Sequence, residues 1–331
     1  MTNETPTDPR RTGMAFERDN DEGGSSRLDT LYASPSAEPT PGSAETPMRF
    51  HRLSGTRRQW WRPLLMLGLA AGAWIGLLTV ALVTLTVIGS ISPTVGRHMD
   101  RFASDTVSMG DPFSAVLMLG MLALAVPACR WAVARAGRRG GLDSVVGKIR
   151  WRLLVEALVP SFVAVGFYIG VGAFMDSPAG DGNSARWWAI LVVLAVIPLQ
   201  AAGEEYVFRG LLPQALGHWL KHPLWGVVIS VPLFTIGHEY DGPGLLSIAC
   251  FAGAAAWMVW RTGGLEVAIA WHAVNNMVVS ALGLLGIADP DQTVIPWSAA
   301  LLDILSMVFM VVIVETMWRH RWSRRFTAVR G

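Results

Sequence analysis

The sequence predicts an all-α, polytopic helical membrane protein of about eight transmembrane helices, and three observations carry that expectation. Hydrophobic residues make up 52% of the 331 positions and charged residues only 16%, where a soluble domain carries about 25% charged residues. Mean hydropathy is +0.39. Apolar runs near the ~20 residues that a helix needs to cross a bilayer recur at 64–89, 113–136, 152–174, 187–217, 224–241, 245–261, 265–285 and 299–318.

Taken in order, residues 1–48 carry nine acids and four arginines among Pro, Thr, Ser and Gly. Such a segment buries too little apolar surface to offset its ordering entropy, so a disordered cytoplasmic tail is expected. The N-terminus is polar, and the first apolar run is long enough to span, so a cleaved leader is not expected. Residues 49–180 are expected to hold the N-terminal transmembrane helices. Residues 181–290 form the chemistry-bearing core, and residues 291–331 a final helix with a basic tail. Pro160 and Pro198 fall inside apolar runs, where neighbouring helices tolerate a kink.

Basic residues set the orientation. Arg49, Arg52, Arg57, Arg58 and Arg62 precede the first run. Arg130, Arg135, Arg138, Arg139, Lys148, Arg150 and Arg152 fill the second connection. The first hairpin loop has only Arg97 and Arg101, Lys221 and Arg261 mark later inner turns, and the C-terminus ends with Arg319, Arg321, Arg324, Arg325 and Arg330. The 286–298 loop has Asp289 and Asp291 and no base. The alternation suits a plasma-membrane protein with both termini cytoplasmic. Trp60, Trp61, Trp187, Trp188, Trp219, Trp225, Trp297 and Trp322 fall at the expected helix ends, as an interfacial belt requires. Cys129 and Cys250 stand alone in apolar runs and read as buried small residues rather than a disulfide or metal framework.

The unusual stretch is Glu204-Glu205-Tyr206-Val207-Phe208-Arg209. Charge at membrane depth is costly and marks function when it persists. Glu205 and Arg209 are one helical turn apart and can pair, while Glu204 points about 100° away. The expected division has Glu204 facing a cavity and Glu205 shared between the site and Arg209. His238 lies as far from Lys221 along the chain as Glu204 does, so a hairpin brings the two to one level. His272 and Asn276 share a helix face, but from the turn at Gly263-Gly264 His272 would sit shallower, unless its helix is tilted or that inner loop dips into the protein. Glu156, Glu266, Asp303 and Glu315 read as structural or snorkelling charges, and His218 and His222 as interfacial. A carboxylate, two histidines and an amide suit hydrolysis. The carboxylate takes a proton from water, one histidine holds that water directly or through a metal, and the other histidine and the asparagine stabilise an oxyanion. Glu204, His238 and His272 would also complete a three-ligand zinc set. The paired-histidine helix of metalloproteases and the Gly-x-Ser-x-Gly turn of serine hydrolases are both absent.

At these residues the sequence resembles the CPBP intramembrane proteases, the CAAX-protease and bacteriocin-processing (Abi) family, whose eukaryotic members trim prenylated proteins. Its three motifs are matched in order by Glu204-Glu205-x-x-x-Arg209, Phe234-x-x-x-His238 and His272-x-x-x-Asn276. The resemblance covers roughly residues 185–285. It implies an intramembrane endopeptidase in which Glu204 and His238 activate water, His272 and Asn276 stabilise the oxyanion, and Glu205 and Arg209 support the geometry. Zn2+ on Glu204, His238 and His272 and a metal-free glutamate mechanism both stay open. The expected partners are the lipid bilayer and a membrane peptide or protein substrate, not nucleic acid. Residues 328–331 carry no prenylation box. The alternatives are a non-proteolytic scaffold or toxin-immunity protein, and a carboxylate–histidine transporter. The latter would show repeated halves, which are not visible here.

Overall fold

The computed structural model describes residues 50–53, 59–104, 108–136, 141–172, 187–289 and 291–326, all within one compact unit, Glu45–Ala328. The tail at 1–48 and the connection at 175–186 lie outside the described residues. The elements are helical: α1 (Arg62–Ile91), α2 (Pro93–Ala103), α3 (Pro112–Ala123), α4 (Ala125–Arg135), α5 (Trp151–Gly172), α6 (Trp187–Glu205), α7 (Leu212–Trp219), α8 (Leu224–Ile236), α9 (Gly242–Thr262), α10 (Glu266–Leu284), α11 (Trp297–Met317) and α12 (Ser323–Phe326). No strand occurs among the described residues, only an isolated bridge between Ser144 and Gly264.

The caps are written in the sequence. Asp111 accepts from the Ser114 amide at 3.0 Å with Pro112 in the first turn, and Asp241 caps α9 through the Gly244 amide at 3.1 Å. Gly263 ends α9 at φ 67°, a left-handed turn that favours glycine. The 113–136 run is divided at Leu124 into α3 and α4. Pro127 explains the break, because it offers no amide to the carbonyl of the preceding turn.

Among the described residues, seven helical segments are long and apolar enough to cross a membrane. The expected span at 224–241 is shorter than its apolar run: α8 is 13 residues and stops at Ile236, with Gly237 at its end. The amphipathic α2, in what reads as a loop, was not expected. Lys221, Arg261 and Arg325 nevertheless lie beside the ends of the described chain. Trp219 donates its indole N–H to the Trp60 carbonyl at 2.9 Å, beside the Lys221 turn. At the other terminus Arg325 pairs with Glu156 at 2.5 Å, and Arg261 with Glu315 at 2.7 Å. Both ends of the described chain therefore sit on the same face of the bundle.

Under that face, residues 141–150 fold inward instead of looping outward. The Val145 amide donates to the Gly263 carbonyl at 2.8 Å, and the Leu265 amide to the Asp143 carbonyl at 2.9 Å. Arg150 grips Glu266 with its backbone amide and Nε at 2.9 Å and its Nη2 at 2.7 Å, and gives Nη1 to the Thr262 carbonyl at 2.9 Å. Every residue from Thr262 to Val274 is buried. The inner loop thus dips into the protein, which carries His272 deeper than its distance from the turn suggests.

Candidate active site

The motif helix does not run straight through. After Glu205 the chain widens into a π-helical turn, Tyr206–Leu211, with the Leu212 amide reaching back to the Val207 carbonyl. Such widened turns recur at functional sites. Glu204 and Glu205 stand on its entering side and Arg209 within it. Gly203 lets this helix touch α3: a Cβ there would drive into the Leu122 carbonyl, 3.0 Å from its carbon, and lie 3.4 Å from Ala123 Cα.

Glu205 is fully buried. Its Oε1 accepts from Arg209 Nη1 at 3.1 Å and from His272 Nδ1 at 2.9 Å. A carboxylate only accepts, so His272 carries its proton on Nδ1 and turns Nε2 toward Glu204 Oε2 at 3.4 Å. Glu204 Oε2 is buried without a hydrogen-bond partner. Glu205 Oε2 is likewise buried without a hydrogen-bond partner, so the two carboxylates differ in that Glu205 alone is paired with Arg209. The Arg209 guanidinium also lies over the Phe234 ring at 4.2 Å, where a cation is attracted to the aromatic face.

His238 is placed differently from the expectation of a helical position. It follows the end of α8 in the loop Gly237–Asp241, and its Nδ1 donates to the Phe234 carbonyl at 2.8 Å. A carbonyl can only accept, so the neutral ring keeps its lone pair on Nε2. Phe234 separates the two histidines, its ring 4.7 Å from His238 and 6.1 Å from His272. The structure thus brings Glu204, Glu205, Arg209 and His272 into direct contact and joins His238 to them through Phe234. Asn276 faces α6, donating Nδ2 to Gln200 Oε1 at 3.1 Å.

Several residues of the site were not anticipated. Gln200 is buried one turn before Glu204, and its polarity within an otherwise apolar run was the available signal. Phe251 stacks edge-on against His272 at 5.0 Å. Tyr206 donates to Asp143, and Arg130 Nη1 reaches Asp143 at 3.2 Å and the Tyr206 hydroxyl at 3.1 Å. Asp143 thereby ties the π turn to the start of α10, a long-range contact without a local signature. Of the two readings given to Glu266 the structural one holds, since it is a buried ion-pair partner, and His218 is buried rather than interfacial. For zinc, Glu204, His238 and His272 do not gather as a set: among the described residues no three His, Cys, Asp or Glu side chains are arranged to hold an ion. No step below is routed through a metal.

All three motifs fall inside one matched region. Residues 186–278 match the family described as type II CAAX prenyl endopeptidase Rce1-like. An uncharacterized protein, YyaK of Bacillus subtilis (strain 168), is 27% identical over 193 residues, which is 53% of this chain and 64% of that relative. The chain thus spans less than two thirds of the relative's length. No solved structure matches. The matched segment runs from the start of α6 to within α10, so it contains the carboxylates and both histidines. The Arg150 and Asp143 clamps reach it from outside.

Proposed function

We propose that this multi-pass membrane protein is a CAAX-type intramembrane endopeptidase acting on membrane-associated peptides, prenylated or bacteriocin-like. The observation that carries the reading is Glu204 Oε2, buried and unpartnered beside His272 Nε2, while the neighbouring Glu205 is held through Oε1 by both Arg209 and His272. A buried open carboxylate oxygen is costly unless a ligand completes it, and water is the reactant that does so here.

Glu204 accepts a proton from that water as its oxygen attacks the scissile carbonyl carbon, and then returns the proton to the leaving amine nitrogen. His238, with Nδ1 fixed by the Phe234 carbonyl, offers Nε2 to orient the water. Asn276, aligned by Gln200, donates its second Nδ2 hydrogen to the oxyanion, and His272, held through Nδ1 by Glu205, donates from Nε2 when its ring carries both protons. Preorganised donors in a water-poor site each contribute about 2.7–4 kcal/mol to such a step. The basic face that carries both chain ends is assigned to the cytoplasm.

The test is cleavage by purified protein in liposomes against a peptide pool with and without prenyl-cysteine, with wild type beside Glu204→Gln. Loss confined to Glu204→Gln with retained fold supports the reading. Equal cleavage by both proteins removes Glu204 from the mechanism, and a folded wild type that cleaves nothing favours a scaffold. A chelator arm with zinc add-back tests the metal route separately.

A further inference from the structure

One ionisable side chain inside the bundle has no part in the mechanism above. Asp303 stands in the second turn of α11 and accepts a hydrogen bond from Ser247 of α9. No Lys, Arg or His pairs with it among the described residues, whereas Glu156, Glu205, Glu266 and Glu315 each have a cation. Ser306 of α11 donates to the Ala164 carbonyl of α5 at 2.8 Å, and a Cβ on Gly172 of α5 would lie 3.8 Å from Leu302 Cδ2. The two helices are thus antiparallel in a register that sets Tyr168 level with Asp303. Tyr240 packs over Gly244, where a Cβ would approach the Tyr240 Cβ at 2.7 Å, and its ring stacks on His238 at 6.4 Å. Burial and the nearby Asp303 charge both push the Tyr240 hydroxyl up from its ordinary range.

A carboxylate and two tyrosines drawn from α5, α11 and the His238 loop therefore border one place beside the candidate catalytic histidine, with Ser247 of α9 bonded to the carboxylate. An unpaired acid within a membrane span calls for a partner, and a carboxylate flanked by aromatic rings suits an ammonium or guanidinium. The surrounding charge agrees: Glu239, Asp241, Asp289 and Asp291 belong to the two loops at this end, and those loops carry no Lys or Arg. We infer that Asp303, with Tyr240 and Tyr168, forms a subsite for a basic side chain of the peptide substrate. This rests on the peptidase reading for the identity of the occupant, but its test does not require turnover.

The test uses full-length Glu204→Gln protein in lipid nanodiscs. Fluorescent peptides of one sequence carry lysine at each position in turn, with norleucine and acetyl-lysine as neutral counterparts. At one position lysine is expected to bind about ten- to a hundredfold tighter than norleucine, the ratio of a charge-assisted hydrogen bond. That preference should vanish when Asp303→Asn is added and largely return with Asp303→Glu. Equal binding of lysine and norleucine peptides at every position overturns the inference without any variant. So does a preference that survives Asp303→Asn. A lysine preference in a wild type that hydrolyses nothing keeps the subsite and removes the peptidase. Hydrolysis with no lysine preference does the reverse.

Discussion

Replacing Gly203 by alanine separates two opposite expectations. In a helix that had room, Gly→Ala would add about 0.8–1 kcal/mol of stability through backbone entropy. Here the new Cβ would overlap the Leu122 carbonyl oxygen and lie 3.0 Å from its carbon, where ordinary contacts begin near 3.5 Å. Both partners are backbone, so no side chain can swing aside. Helix α6 must retreat from α3 by roughly 1 Å, and overpacking of this kind costs about 1–3 kcal/mol. Glu204 is the next residue. Its 3.4 Å approach to His272, and the 2.9 Å bond from His272 to Glu205, lengthen with the retreat. Misplacement on that scale costs about a hundredfold in rate. The assay is turnover of the reporter peptide together with thermal unfolding of Gly203→Ala, beside Gly253→Ala on α9, whose Cβ meets nothing within 4 Å. Gly203→Ala should lose both rate and stability, and Gly253→Ala neither. A Gly203→Ala protein as stable and as active as wild type would refute the claim that this contact sets the position of the carboxylates.

Arg209→Met leaves Glu205 buried with only His272, and should destabilise by about 3–5 kcal/mol in denaturant titration, while Glu205→Gln/Arg209→Met recovers much of the loss. Arg150→Met should behave alike through Glu266, and pairing it with Glu266→Leu should restore a cooperative transition. Gln200→Ala frees Asn276 and removes about one hydrogen bond of 0.5–1.5 kcal/mol, so turnover should fall about three- to tenfold with KM little changed in steady-state kinetics. Tyr206→Phe takes a donor from Asp143 and should cost about 1–3 kcal/mol on unfolding, with Asp143→Asn giving no further loss in the double variant.

The helical class was legible because every span declares itself by composition, and seven segments of spanning length are present. The hydrophobic runs misjudged only what is not periodic. The α8 run looked longer because Gly237–Asp241 follows it with mixed polarity, yet Gly237 ends the helix. The π turn was invisible because its six residues read as an ordinary helix by sequence. Local pairs such as Glu205–Arg209 could be read from spacing, and they form. The placement of His272 needed the burial of the inner loop, which depends on Arg150, 116 residues before Glu266. No window of sequence contains that contact. Gln200 was open to notice as a polar residue in an apolar run, but its partner Asn276 lies 76 residues on.

The inward fold of residues 141–150 also dictates an order of biosynthesis. Its recorded partners beyond the neighbouring helix, Tyr206, Gln214 and Thr262–Glu266, all leave the ribosome later than the segment itself. Until Glu266 emerges, Arg150 is a guanidinium with no carboxylate to meet, and water at the membrane surface is the favourable place for it. The segment is thus a door that closes from outside once α10 is threaded. The same event seats His272 against the waiting glutamates, so a chain stopped before α10 holds its carboxylates without the histidine that completes them.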